Sequence, residues 1–218
     1  MKKMLLKQFV TIVLLLLTFV SFSQVSNTIL SFELKDNSLF SRDAANNLHC
    51  AFIIKNLDES QLTEFITAFT QSTGVLKFNT TENENSEIQA DATFEKADIN
   101  YFYNLFKDNG VSAIEVNGKT TKIQYMEYKT DPLPSSAISK NTLDKLSSPV
   151  VFQNASDPNS LDYYDKRIAD AEYKILWVQH DKKEINKAIK SGWFENADKT
   201  LMQLKTDKEK FIKNYEKK

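Results

Sequence analysis

Cysteine, glycine, histidine and proline are all scarce in this sequence. The shortage of the first three limits the disulfides and the catalytic or binding sites that the chain can form. Among 218 residues there are four glycines, four prolines, two histidines and one cysteine. A single thiol forms no internal disulfide, so packing alone has to hold the fold. Four glycines are too few for a phosphate-cradling loop, and no Gly-x-Ser-x-Gly elbow is present. The histidines, His49 and His180, lie far apart in the chain. We therefore predict no enzyme, no catalytic residues, no cofactor and no metal site.

The only long apolar run lies at the N-terminus. Three lysines precede an apolar stretch at residues 9–20, and Ser21 and Ser23 place small side chains at the −3 and −1 positions of a signal peptidase site. A membrane-spanning helix needs about 20 apolar residues, so a retained anchor is the weaker alternative. Residues 1–23 are therefore predicted to be a signal peptide, which leaves Gln24 as the first residue of an exported protein. We expect it in the periplasm, at the cell surface or in the medium.

The charge of the mature chain argues against nucleic acid as a partner. Removal of the three leader lysines leaves 25 basic and 29 acidic residues, a net charge of −4. Binding to nucleic acid requires concentrated positive charge that neutralises phosphates. Lysine and glutamate alternate along the chain instead, which is typical of a solvated surface. No later segment is apolar enough to span a membrane after signal cleavage.

Hydrophobic periodicity predicts an α+β fold for the first two thirds of the mature chain. Residues 24–47 hold an N-terminal strand at 29–34 and then a loop or short helix. Residues 48–128 are predicted as a ferredoxin-like βαββαβ domain. Its expected elements are strands at 51–55, 75–80, 88–94 and 111–116, helices at 60–72 and 97–109, a turn at Asn117-Gly118, and a further hairpin strand at 121–128.

The remaining residues are predicted to form a linker and a helical hairpin. Residues 129–159 are rich in serine, asparagine, aspartate and proline, which indicates little regular structure. In residues 160–218, apolar side chains recur every three or four positions, and Gly192 divides two of the helical segments. Two antiparallel helices that bury these stripes against each other or against the sheet are expected, and a dedicated partner-binding coiled coil is the alternative. Trp177, Trp193 and Phe194 are predicted to cluster near the corner.

Residues 48–118 resemble the heavy-metal-associated domain family, of the copper-chaperone type. The resemblance depends on the order of elements, on Gly74-Val75 opening the second strand, and on Gly110 following the second helix. It implies a ferredoxin-like fold and carriage of a soft metal ion by a Cys-x-x-Cys pair between the first strand and the first helix. Asp58 and Gln61 stand at the positions of those cysteines, so the domain is a degenerate member without the metal motif.

The residues nearest to this missing motif have simpler interpretations. Cys50 and His49 are neighbours on a strand, so their side chains point to opposite faces and do not chelate one ion together. We expect Cys50 to be a small buried hydrophobic residue, with a reactive thiol or an intermolecular bridge as alternatives. Asp58 and Glu59 are expected to stabilise the start of a helix rather than to bind a hard cation.

Two hypotheses for function follow from these patterns. The first is an exported, non-enzymatic interaction module that contacts an envelope or secreted protein through the face or edge of its sheet, because the scaffold is kept while the ligands are lost. The alternative is a divergent metal-binding or metal-transport protein with non-standard ligands, for example Cys50 shared between chains.

Overall fold

The structure, a computed structural model, describes residues 27–134 and 160–215, apart from residues 35, 37 and 96. The predicted signal peptide at residues 1–23 lies outside the described residues, as does most of the predicted linker, from residue 135 to residue 159. No helix in the described ranges combines the length and the apolar character that crossing a bilayer requires.

Strands and helices follow one another through both described ranges. The strands are β1 (Thr28–Phe32), β2 (Ser41–Arg42), β3 (Leu48–Lys55), β4 (Val75–Glu82), β5 (Ile88–Phe94), β6 (Val111–Val116) and β7 (Lys119–Lys122). The helices are α1 (Glu59–Gln71), α2 (Ile99–Asp108), α3 (Leu161–Gln179), α4 (Lys182–Ser191) and α5 (Trp193–Tyr215), and a 3₁₀ turn covers Ile123–Met126.

Short polar side chains and a glycine set the ends of several helices. Asp98 accepts the backbone N–H groups of Asn100 and Tyr101 at the start of α2. Asp181 does the same for α4, which begins one residue later. These contacts satisfy N–H groups that have no partner within the helix. Gly192 ends α4 with a φ of 72°, a left-handed conformation that costs glycine little.

The strand order confirms a mixed α/β fold and corrects the expected topology. The order across the sheet is β4-β5-β3-β1-β6-β7, with β2 paired to the start of β3. Strands β3, β4, β5 and β6 stand in the relative order of a ferredoxin-like motif, but β1 lies between β3 and β6. It is antiparallel to β3 and parallel to β6. The central position follows from Leu30 and Phe32, whose side chains are buried in the core and fill the middle of the sheet.

Two local predictions also differ from the structure. The region at 38–47 contains the short strand β2, whose Ser41 and Arg42 pair with His49 and Leu48. The strand predicted at 121–128 ends at Lys122, because the chain then tightens into the 3₁₀ turn that buries Tyr125 and Met126.

Helices α1 and α2 cover the same face of the sheet, as expected for this type of fold. Phe69 of α1 and Phe106 of α2 stack on each other with ring centroids 6.5 Å apart. Phe69 also contacts Phe52 of β3, and Phe106 contacts Phe32 of β1. Large aromatic side chains from both layers therefore meet in the core between the helices and the sheet.

The C-terminal region forms three helices rather than a simple hairpin, and it joins the core of the sheet. Phe194 at the start of α5 stacks on Tyr125, with ring centroids 5.3 Å apart and planes inclined by 9°. The Tyr125 hydroxyl donates to Asp198 at 2.6 Å. Trp193 packs against Phe194, and Trp177 lies at the edge of the same core. One continuous core therefore includes residues from both described ranges.

Candidate functional site

The two positions that replace the family's cysteines form a helix cap. Asp58 accepts the backbone N–H of Gln61 at 2.8 Å, and the Gln61 side chain accepts the backbone N–H of Asp58 at 3.1 Å. This reciprocal pair is a capping box at the start of α1. Glu59 occupies the first turn, where a negative charge favours the helix dipole. One carboxylate oxygen of Asp58 and the side-chain oxygen of Gln61 are thus engaged with the backbone.

Cys50 and His49 lie on opposite faces of β3, as the strand alternation predicts. Cys50 pairs in register with Ala92 and packs against the core under the helices. Burial there raises the pKa of its thiol, and the charge of Asp91 adds to the effect. Across the described ranges, no three histidine, cysteine, aspartate or glutamate side chains are grouped so that they could hold a metal ion.

His49 contacts two polar side chains that no pattern in the sequence connects to it. One ring nitrogen lies 2.8 Å from the Thr93 hydroxyl, and the other lies 3.2 Å from the carboxylate of Asp43. Hydrogen bonds from Asn47 hold the pKa of Asp43 below its usual value, with His49 a smaller cause. Hydroxyl, imidazole and carboxylate stand in the order of a nucleophilic triad.

The surroundings of His49, Thr93 and Asp43 favour a structural role for this trio of side chains. The side chain of His49 is 41% exposed and that of Asp43 is 35% exposed, on the flat outer face of the sheet. Triad chemistry depends on donors fixed around the developing oxyanion in a site that excludes water. The trio instead ties the loop before β3 to the neighbouring strand β5. The triad resemblance could have been found only from strand register, because Asp43 and Thr93 are 50 residues apart in sequence.

His180 is also held by the backbone. Its ring nitrogens contact the carbonyl oxygens of Leu176 at 2.7 Å and Asp131 at 2.6 Å. Lys129 N–H donates to the carbonyl of Gln179 nearby, at 2.9 Å. These contacts attach the segment that follows the 3₁₀ turn to the end of α3, which indicates a structural role for His180.

One edge of the sheet is closed by the C-terminal helices. The Glu195 carboxylate accepts the backbone N–H of Thr120 in β7 at 2.9 Å. Lys122 of the same strand pairs with Asp198 at 2.8 Å. The hydrogen bonds to Glu195, from Lys199 first and then from Thr120, lower the pKa of its carboxyl. Helix α5 therefore satisfies an edge donor that another strand would otherwise use.

Among the described residues, the opposite edge, β4, pairs with no strand on its outer side. The N–H of Asn83 donates to Glu87 in the turn that joins β4 to β5, and the pairing continues in register back to Lys77. Because N–H directions alternate along an antiparallel strand, the backbones of Phe78, Thr80 and Glu82 point away from β5. Their N–H and C=O groups form the free edge of the sheet.

The side chains of β4 divide between the two faces. Phe78 points inward, where its ring centroid lies 4.7 Å from that of Phe69, with the two planes tilted by 38°. Lys77, Asn79 and Thr81 are exposed on the outer face. Leu76 sits in the β-bulge at the start of the strand, and 55% of its surface is exposed. The edge thus presents free backbone groups beside a polar row and one apolar side chain.

In the middle of the sheet, across β3, β1 and β6, the outer face carries polar cross-strand contacts. Glu115 of β6 accepts hydrogen bonds from Lys55 at 2.9 Å and from Ser31 at 2.8 Å. Lys55 and then Ser31 lower the pKa of the Glu115 carboxyl.

Comparison with protein-family models, with curated proteins and with solved structures finds no match. The function is therefore inferred from this geometry.

Proposed function

We propose that the protein is an exported, non-enzymatic binding module that takes an extended segment of a partner protein along the open edge of β4. The observation that carries the proposal is the contrast between the two edges of one sheet. The β7 edge is covered by α5, whose Glu195 satisfies an edge N–H. The β4 edge is eight residues long, and no strand in the described ranges pairs with its outward backbone groups.

The chemistry of such an edge suits the addition of a strand. Free N–H and C=O groups in alternation bind the backbone of an extended peptide, which supplies affinity without regard to sequence. Side chains on either side supply specificity, here Lys77, Asn79 and Thr81 on the outer face and Leu76 at the strand start. A complementary segment carries polar or acidic side chains toward this row and an apolar side chain toward Leu76.

The same edge carries features that oppose indiscriminate pairing. The bulge at Leu76 and the charge of Lys77 are devices that limit edge-to-edge association between sheets. Aggregation of identical chains is thus disfavoured, while a segment that fits the bulge and the lysine is accepted. Under the edge, the contact between Phe78 and Phe69 anchors β4 to α1, so the edge is formed before a partner arrives.

A proline substitution tests this proposal directly. Thr80 has its N–H on the outer side of the edge, so Thr80→Pro removes one donor for a partner and leaves the ladder to β5 intact. Thr80→Val is the matched control, since it keeps the N–H and the shape of the side chain. A photo-crosslinking amino acid at Asn79, introduced in cells, then captures whatever lies against the edge.

We expect a discrete crosslinked product in the envelope fraction or the medium that persists in Thr80→Val and disappears in Thr80→Pro. Thermal melting of the purified variants verifies that both are folded. A product that survives Thr80→Pro in a folded chain, or no product in any variant, would contradict the proposal.

Export is tested separately, in the same cells that are used for crosslinking. Intact-mass measurement of the purified protein is expected to give a chain that begins at Gln24. A chain that keeps residues 1–23, or that stays in the cytoplasmic fraction, contradicts export and leaves the edge proposal to be judged by crosslinking.

A further inference from the structure

A cavity of about 240 Å³ lies on the helix-covered side of the sheet, away from the β4 edge. Its walls come from three parts of the chain: the segment that leads into β2, helix α2 with the strands beneath it, and helix α4. Most of the lining is apolar, and its principal side chains are Phe32, Phe40, Leu48, Phe102, Phe106 and Ile189. This volume exceeds the ~150 Å³ of an engineered apolar cavity that binds benzene.

An aromatic frame keeps the cavity open. Phe40 stacks on Phe102 with ring centroids 4.5 Å apart, and Phe102 meets Phe94 edge to face at 5.1 Å. Ser38 holds Phe40 in place, because its hydroxyl donates to the Phe40 carbonyl at 2.8 Å and accepts the Phe40 N–H at 3.3 Å. Rings fixed in this way do not collapse into the space, so the void persists as a place for another molecule.

The rim of the cavity carries one cation with no carboxylate partner among the described residues. Arg42 lines the cavity, and one nitrogen of its guanidinium donates to the backbone and side-chain oxygens of Asn46 at 3.2 and 2.8 Å. The other charged group at the rim, Asp98, is already paired with Lys182 at 2.6 Å and caps α2. The charge still available at the rim is therefore positive.

From this arrangement we propose that the cavity binds a small amphiphilic carboxylate. The apolar body, the size of one aromatic ring with a short chain or of a short acyl chain, fills the space between Phe40, Phe106 and Ile189. The carboxylate meets the guanidinium of Arg42, whose planar fork matches two carboxylate oxygens. Asn46 holds that fork in position. This site is independent of strand addition at β4.

The test uses 3-phenylpropanoate as the probe and 3-phenylpropanamide as its neutral counterpart. Binding to the purified mature chain is followed by heteronuclear NMR titration, which gives both affinity and location. Arg42→Gln removes the proposed carboxylate partner. Lys213→Gln is the matched control, because it removes one positive charge from an exposed position on α5 that does not line the cavity. Ala97→Phe fills the cavity from its wall.

We expect saturable binding of 3-phenylpropanoate, with the largest shifts at Phe102 and Ile189. Arg42→Gln should weaken binding of the carboxylate about tenfold or more and leave binding of the amide unchanged, while Lys213→Gln should change neither affinity. Ala97→Phe should weaken both probes. Thr80→Pro should leave both affinities unaltered, which separates this site from the proposed edge.

Three results would overturn the inference. The first is an absence of saturable binding of 3-phenylpropanoate to the wild-type chain. The second is an equal loss of affinity in Arg42→Gln and Lys213→Gln, which indicates attraction by net charge alone. The third is a set of chemical-shift changes located away from Phe102 and Ile189. These chemical-shift changes also locate the binding site if Ala97→Phe does not fold.

Discussion

Replacement of Phe194 by alanine should destabilise the whole molecule and not only the C-terminal helices. The Phe194 side chain is fully buried, stacks on Tyr125 and packs against Trp193. Truncation of a buried phenylalanine to alanine costs about 3–5 kcal/mol, because apolar contacts are lost and a cavity remains. For a protein of this size, each kcal/mol lowers the melting temperature by about 2–4 °C, so a fall on the order of 10 °C is expected.

The assay must report on both parts of the fold. Both tryptophans, Trp177 and Trp193, lie in the C-terminal helices, so their fluorescence follows that region alone. Hydrogen exchange at the Phe52 amide follows the central strand β3. Met202→Ala is the control, since this side chain lies on the same helix but is 60% exposed, and its cost should stay within about 0.5 kcal/mol.

Coincident denaturation curves from the two probes, shifted together by Phe194→Ala, are the expected result. If Phe194→Ala shifts the tryptophan curve and leaves exchange at Phe52 unchanged, the shared core is not a cooperative unit and the reasoning is refuted.

Three further predictions concern single contacts. Asp58→Ala should lower the free energy of unfolding by about 1 kcal/mol, whereas Asp58→Asn should keep most of the cap; equal losses in urea denaturation would contradict the capping role. Lys182 lowers the pKa of Asp98 from its ordinary 3.8, chiefly through their hydrogen bond. The stability that this pair contributes is therefore present above pH 3.8, and it is lost as the pH falls through the lower pKa that Asp98 has in the folded chain. The stability difference between wild type and Lys182→Gln should narrow in acid, and a constant difference would exclude the linkage. Cys50 should react with a thiol reagent at pH 8 on the order of 100-fold more slowly in the native chain than in urea, because burial disfavours its thiolate; equal rates would show an accessible thiol.

Local signals in the sequence were sufficient for most helices and turns. The apolar spacing at 60–72 and 97–109 predicts α1 and α2 to within two residues, and Gly192 marks the end of α4. Asn117-Gly118 predicts the hairpin turn, where both residues have positive φ. These features depend on neighbouring residues alone, so a single sequence is enough to find them.

Pairing between distant segments could not be predicted in the same way. The alternation at 29–34 indicates a strand, but nothing in it specifies that Leu30 stands opposite both Ile54 and Ile114. The apolar stripes at 161–204 predict helices, yet their contact with Tyr125 depends on surfaces that exist only after folding. The open edge of β4 is likewise a property of strand order, so it became visible only when the neighbours of each strand were known.

The position of β1 has a consequence for how the protein folds. Strands β3, β4 and β5 form one part of the sheet and β6 with β7 another, and β1 is the strand that joins them. Its partners on β6 lie 84 residues away, as in the contact between Ser31 and Glu115. Closing so long a loop before any pairing stabilises it makes folding slow. We therefore expect the last step of sheet assembly to be the capture of β6 by β1, and the sheet to stay in two parts until that pairing forms.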